Sequence, residues 1–315
     1  MAELSNANSL AASQHWVLSR AQALGCGLSP AQIASLVRSR RWRRLRPGVY
    51  LARGDPAPSL AARVVAVQLA YGPRSVAVGP TAARLWRIQG LLPGPGYDHL
   101  HLSVAGRGSS RGGDGLRLHG WTVPPGEITM RGGIRLTTPA RTLRDTVLCT
   151  DRHSAVSAID SALYQGLVAP ADLPALAEAN AGRPGAPRSR PWWALADPRA
   201  QSTFESRLRL ICVDAGIAPE TLQYPVRDST GAPVGYVDLA WPGRGVAAEA
   251  DGTGPHTLPD ALFGDRRRQN GIAVAPERLV LLRFAWRDLG RPAEIAAMIR
   301  AALRQGAAPA PRTAP

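Results

Sequence analysis

Asp238 lies in the run Tyr236-Val-Asp-Leu-Ala240, and Glu249 and Asp251 lie in Val246-Ala-Ala-Glu-Ala-Asp-Gly252. Carboxylates set among β-type and small apolar residues supply hard oxygen donors, a set that suits Mg²⁺, which is usually held by one or two carboxylates beside substrate phosphates. Phosphodiester cleavage is the chemistry such a site most often serves. Glu249 and Asp251 are two residues apart and project from one face of a strand. Asp238, on a neighbouring strand, can converge with Glu249, so these two are the candidate metal ligands, with Glu205 approaching from a preceding helix.

The elements that must position these acids read from the surrounding pattern. Residues 203–213 have helical apolar spacing, with Phe204, Leu208, Ile211 and Cys212 on one side, Glu205 near the start and Gly216 as the stop. β-type runs follow at 222–226, 235–241 and 246–250, and the turn Pro242-Gly-Arg-Gly245 favours an antiparallel hairpin. Residues 266–273 read as helical, 277–284 as a buried strand and 295–303 as a closing helix.

A second chemistry sits at the other end of the chain. Six of the nine residues from Arg38 to Arg46 are arginine (38, 40, 41, 43, 44 and 46), with no acid among them. Ser19 can cap a short helix running to Leu24, and Ser29-Pro30 starts a second helix whose Ile33, Leu36 and Val37 recur on one face. Trp42 to Arg53 then gives two short β-type runs around Pro47-Gly48. Helix, turn, helix and hairpin is the order of a winged helix-turn-helix. Gln32, Ser35 and Arg38 of the second helix would face a major groove, while Arg40, Arg41, Arg43, Arg44 and Arg46 grip phosphates.

Between these ends, 59–71 and 81–89 read as helices, the latter burying Leu85 and Trp86, and 99–104, 116–119 and 134–138 as strands. His99 and His101 share a strand face, as metal ligands can, but with no third ligand nearby they read as ordinary strand residues. Helical spacing resumes over 139–180, where Arg141 and Asp145 stand at pairing distance. The expected architecture is multi-domain, α+β and α/β: a winged helix-turn-helix over 1–55, a mixed α/β domain over 56–181, a Pro/Gly/Arg linker over 182–197, an α/β core over 198–304 and a disordered tail over 305–315.

The bulk numbers agree with a polyanionic partner. The 315 residues carry a formal net charge of +15, and all 38 Lys+Arg positions are arginine. Such a balance favours DNA over a membrane surface. Cys26, Cys149 and Cys212 are too few and too far apart for a disulfide framework or a zinc site, which points to a reducing, cytoplasmic setting. No signal peptide, and no run of roughly 18 apolar residues, suggests a membrane.

The order helix, acidic β-hairpin, helix, strand resembles the PD-(D/E)xK nuclease superfamily, with its restriction-endonuclease-like core. Asp238, Glu249-Ala-Asp251-Gly252, His256, Asp265-Arg-Arg267 and Leu282-Arg-Phe284 look like an endonuclease-like domain of unknown function allied to very-short-patch-repair nucleases. Sites of this superfamily usually carry a lysine two residues after the second acid; here Asp251 stands there, as is common in the variant domain. That resemblance implies Mg²⁺ on Asp238 and Glu249, Glu205 as an auxiliary acid, Asp251 as a further ligand or water positioner, His256 as general base or phosphate contact, and Arg267 and Arg283 on phosphate charge. Residues 17–24, 29–33, 41–50 and 136–145 resemble AbiEi-type antitoxins of type IV toxin–antitoxin systems. This likeness implies operator binding by the winged helix and a cognate toxin. The first expectation is therefore a DNA-binding regulator with an endonuclease-like domain. The alternatives are an active Mg²⁺-dependent endonuclease targeted by its N-terminal half, and a regulator whose inactive nuclease fold serves a homodimer or another partner.

Overall fold

Two capping boxes set the N-terminal helices. The Gln22 amide donates to Ser19 Oγ at 3.1 Å while the Ser19 amide donates to the Gln22 side chain at 2.9 Å. Ser29 and Gln32 repeat the exchange one helix later, with Pro30 at the first helical position. Each box satisfies amides that a helix start leaves without intrahelical acceptors. The order that results in the computed structural model is α1 (Ala2–Ser13), β1 (Val17–Ser19), α2 (Arg20–Gly25), α3 (Pro30–Arg38), β2 (Arg43–Arg46) and β3 (Val49–Leu51). The strands form a sheet in the order β1-β3-β2, with β3 antiparallel to both neighbours, and Gly48 supplies a left-handed residue (φ 69°) to the β2–β3 turn. This fits a winged helix-turn-helix. α1 was not foreseen: its buried residues are Ala7 and Ala11, so no stripe of large apolar side chains marks it.

The structure describes residues 2–54, 57–92, 99–112, 115–252 and 267–306. After the wing come α4 (Leu60–Tyr71), β4 (Ser75–Ala77), α5 (Gly79–Leu85), β5 (Leu100–Val104), β6 (Ser110–Gly112), β7 (Leu116–His119), β8 (Ile128–Arg131), β9 (Ile134–Thr137) and α6 (Pro139–Cys149). Their sheet runs β6-β7-β5-β4-β9-β8, parallel at β5/β7 and β4/β9 and antiparallel elsewhere. Val64, Val65 and Val67 of α4 share one core with Val17, Val49 and Leu51 of the wing and with Leu102, Leu118 and Leu136 of this sheet. Wing and mixed sheet are thus not separate cores. Leu85 and Trp86 are half-buried, not buried, and the Trp86 Nε1–H donates to the Thr137 carbonyl at 2.9 Å. Arg141 pairs with fully buried Asp145 at 2.9 Å, and Arg183 reaches the same carboxylate at 2.6 Å.

By contacts the chain divides into two units, residues 1–151 with 171–191 and residues 152–170 with 192–315. α7 (Arg152–Tyr164) belongs to the second; α8 (Leu173–Glu178) and α9 (Ala186–Ser189) belong to the first. The segment expected as a linker carries α9 and a 3-10 stretch, Arg190–Leu195, in which Trp192 and Trp193 are buried. Two large indoles removed from water explain why a Pro/Gly/Arg-rich stretch is ordered here.

In the second unit α7 packs on α10 (Thr203–Asp214). Buried Asp160 of α7 accepts from Arg209 at 2.8 Å and from the Asp197 amide at 2.7 Å. The sheet comprises β10 (Thr221–Arg227), β11 (Pro233–Trp241), β12 (Val246–Asp251) and β13 (Val280–Ala285) in that order, antiparallel except for the parallel β12/β13 pair. Helix α11, described over 267–273, and α12 (Pro292–Gly306) complete it. Phe204, Leu208, Ile295 and Ile299 pack with Leu222, Leu239 and Val246, while Ile272 packs with Val226, Val237 and Ala247. β13, expected as a buried strand, is an edge strand: Val280 is 38% exposed and Phe284 is its buried anchor. Among the described residues no helix is long and apolar enough to cross a membrane.

Candidate nucleic-acid interface and acidic site

On α3, Ile33 and Leu36 are buried, and Gln32, Ser35 and Arg38 are exposed. The arginine run that follows is arranged by one residue: Trp42 is buried against Tyr50, ring centroids 5.9 Å apart, and anchors the segment from inside. Arg40, Arg41 and Arg44 are exposed around it, whereas Arg43 and Arg46 on β2 are half-buried. The Gln32 side-chain oxygen is engaged in the α3 capping box, at 2.7 Å from the Ser29 amide, so Gln32 is first a helix cap.

The acidic site is built on α10 and the β10–β12 strands. Glu205, one turn into α10, is buried; its carboxylate accepts from the Gln201 amide and from Gln223 Nε2, each at 2.9 Å. Asp238 on β11 accepts from the Ala250 amide at 2.8 Å and from Gln223 Nε2 at 3.3 Å. Glu249 on β12, buried, is held between Arg268 of α11 (2.7 Å) and Arg283, its register neighbour on β13 (2.9 Å). Burial, followed by repulsion from Glu205, pushes the Asp238 carboxyl up to about 6, against the pull of the Ala250 amide; Glu249 adds to the rise. A buried acid with a second carboxylate beside it resists ionisation for both reasons.

Gln223, which sequence reasoning missed, bridges two of the acids. Its φ is +50°, and the β10/β11 ladder passes from Leu222↔Leu239 to Tyr224↔Val237 without pairing it. A non-glycine residue in the left-handed region inside a strand is strained by roughly 1–3 kcal/mol and persists where its surroundings over-determine it. Here the irregularity aims an amide between Glu205 and Asp238. No spacing rule marks such a residue in advance.

The structure therefore brings Glu205, Asp238 and Glu249 to one place and leaves Asp251, at the end of β12, exposed. Arg267 is exposed; its neighbour Arg268 makes the ion pair, the helical turn having placed the next residue of the arginine run on the sheet. Arg283, expected to act on phosphate charge, is paired with Glu249. His256 lies outside the described residues. Among the described residues, the acids' ligand atoms do not all fall within 4.8 Å of one another; the group that does so is His101, His119 and Cys149. The expectation that His101 has no further possible ligand near it is corrected by this grouping, since β5, β7 and the end of α6 meet although they are far apart in sequence.

Two uncharacterized proteins of Mycobacterium tuberculosis, from strains CDC 1551 / Oshkosh and ATCC 25618 / H37Rv, are each 30% identical to this chain over 227 residues, covering 70% of it and 78% of their own length. The chain belongs to their family. Residues 7–53, which hold α2, α3 and the wing, match the family model of a transcriptional regulator, the AbiEi antitoxin. The N-terminal part of this family member is thus AbiEi-like, of a class that binds DNA and acts beside a toxin.

Proposed function

We propose that the chain is an AbiEi-like DNA-binding regulator with antitoxin function whose second unit is endonuclease-like. The observation that carries the reading is the coincidence of a winged helix-turn-helix with an acid-free arginine run seated on its wing, within the residues that match the antitoxin model. Arg38, Arg40, Arg41 and Arg44 are exposed and suited to phosphates, and Ser35 lies on the helix face that a major groove would receive. Gel retardation of DNA from the protein's own promoter tests this: Arg40/Arg43/Arg44→Ala should abolish the shift, and a shift that survives the triple change overturns the winged-helix assignment.

A second reading, an active Mg²⁺-dependent endonuclease, is favoured by Asp238, whose carboxyl is raised first by burial and then by the neighbouring Glu205 carboxylate. Asp238 with Glu205 offers hard oxygens to such a cation. Glu249 fits less well, because Arg268 and Arg283 already neutralise it. That pairing favours the regulator whose nuclease fold does not cut. Calorimetric titration of Mg²⁺ into the full chain separates the two: heat of binding lost in Asp238→Asn supports the endonuclease, and no heat in the wild type rejects it.

A further inference from the structure

Beside the β5/β7 strand pair of the first unit lies a cluster that neither reading uses. His101 and His119 sit on adjacent parallel strands, their register offset by two residues, with His119 Nε2 3.0 Å from His101 Nδ1. Cys149, the last residue of α6, brings its sulfur into the same space, and the three ligand atoms lie within 4.8 Å of one another. Two imidazole nitrogens and one sulfur are borderline-soft donors, the set chosen by Zn²⁺ and its neighbours rather than by Mg²⁺. With Zn–N near 2.05 Å, a tetrahedral edge between two nitrogens is about 3.3 Å, so the 3.0 Å separation is close to what a shared ion requires.

The cluster is also held in place. Both imidazoles are buried. The His101 amide donates to Thr81 Oγ1 at 2.7 Å, and Ser103 Oγ bonds the carbonyls of His119 (3.1 Å) and Trp121 (2.7 Å), fixing the strand at His119. Trp121 stacks on His119 at 3.8 Å and walls one side.

We propose that His101, His119 and Cys149 form a tetrahedral site for Zn²⁺ or a chemically similar transition-metal ion, with water or an incoming donor as the fourth ligand. Binding forms two metal–nitrogen bonds and one metal–sulfur bond. The Cys149 S–H bond breaks and its proton leaves to solvent; the proton shared between the imidazoles moves, through solvent, to a ring nitrogen that does not ligate. The thiolate formed and Asp145, which lies near it, offset the charge of Arg117 and Arg183. The three ligands tie β5, β7 and α6 together, so the ion would brace the first unit.

Co²⁺ titrated into the chelator-stripped full chain tests the site. One equivalent should give a thiolate-to-cobalt charge-transfer band that Zn²⁺ displaces. Cys149→Ser should remove the band, Cys26→Ser should leave it, and His101→Gln or His119→Gln should weaken Co²⁺ binding at least roughly 10-fold. Binding at the carboxylates of the second unit gives no such band. Should a variant unfold, alkylation of the wild type decides instead: Zn²⁺ should slow labelling of Cys149 at least about 10-fold. A folded wild type that shows neither band nor protection, or a band that survives Cys149→Ser, overturns the assignment.

Discussion

At the scale of the residue, Asp238 is where the fold bears a cost that can be measured. Its folded pKa, about 6, stands above the ordinary 3.8, so between these values the native state holds a proton that the unfolded chain has released. Stability from this group is therefore complete below pH 3.8, declines as pH rises, and is lowest above about 6. Asp238→Asn, which keeps an oxygen for the Ala250 amide, should stabilise the protein at pH 7.5 by about 2–3 kcal/mol and should lose that advantage near pH 4. Urea unfolding at the two pH values checks it; an equal effect at both would show that burial of the charged form is not the cause. Gln223 makes a second prediction at this scale. Glycine relieves a φ of +50° that alanine cannot, so Gln223→Ala should cost about 1 kcal/mol more than Gln223→Gly, the reverse of the usual order in a strand.

At the scale of the element, the helix α11 and strand β13 converge on Glu249 from two sides. Arg268→Ala removes one of the two cations on a buried carboxylate and should destabilise by about 1–3 kcal/mol, whereas exposed Arg267→Ala should stay within about 0.5 kcal/mol. Thermal or denaturant melts of the pair discriminate; equal losses would place both arginines in the same role. Elements with local signals were legible in the sequence. Ser19 as a cap and Ser29-Pro30 as a helix start announced α2 and α3, and the 242–245 turn announced the acidic hairpin, because caps and turns are governed by contacts a few residues apart. What could not be read depends on distant contacts: α1 has no apolar stripe, Gln223 is placed by a skipped pairing, and His101, His119 and Cys149 meet across 48 residues only through sheet order. The choice of Arg268 over Arg267 is a matter of helix phase against a sheet whose position the sequence does not state.

At the scale of the whole molecule, a net charge of +15 with arginine at every cationic position sets how DNA should be held. Guanidinium–phosphate contacts release counterions, and each contact contributes about 0.9 to the slope of log K against log salt. Removing the exposed Arg40, Arg41 and Arg44 should flatten that slope by nearly 3 on any duplex, while Ser35→Ala should leave the slope alone and alter preference among sequences. Fluorescence anisotropy across a salt series reads both; a triple variant with an unchanged slope would mean that the phosphates are gripped elsewhere.

The path of α7 bears on how such a chain can be cut and recombined. Because residues 152–170 fold with the second unit while 171–191 return to the first, the chain passes from one unit to the other at three places. No single splice separates the two. A gene fragment beginning at Trp192 would encode the whole acidic sheet and still lack Asp160, leaving Arg209 of α10 charged and buried without its carboxylate, a loss of the order of 3–5 kcal/mol. A fragment that begins at Trp192 should therefore unfold at lower denaturant than one in which residues 152–170 are restored.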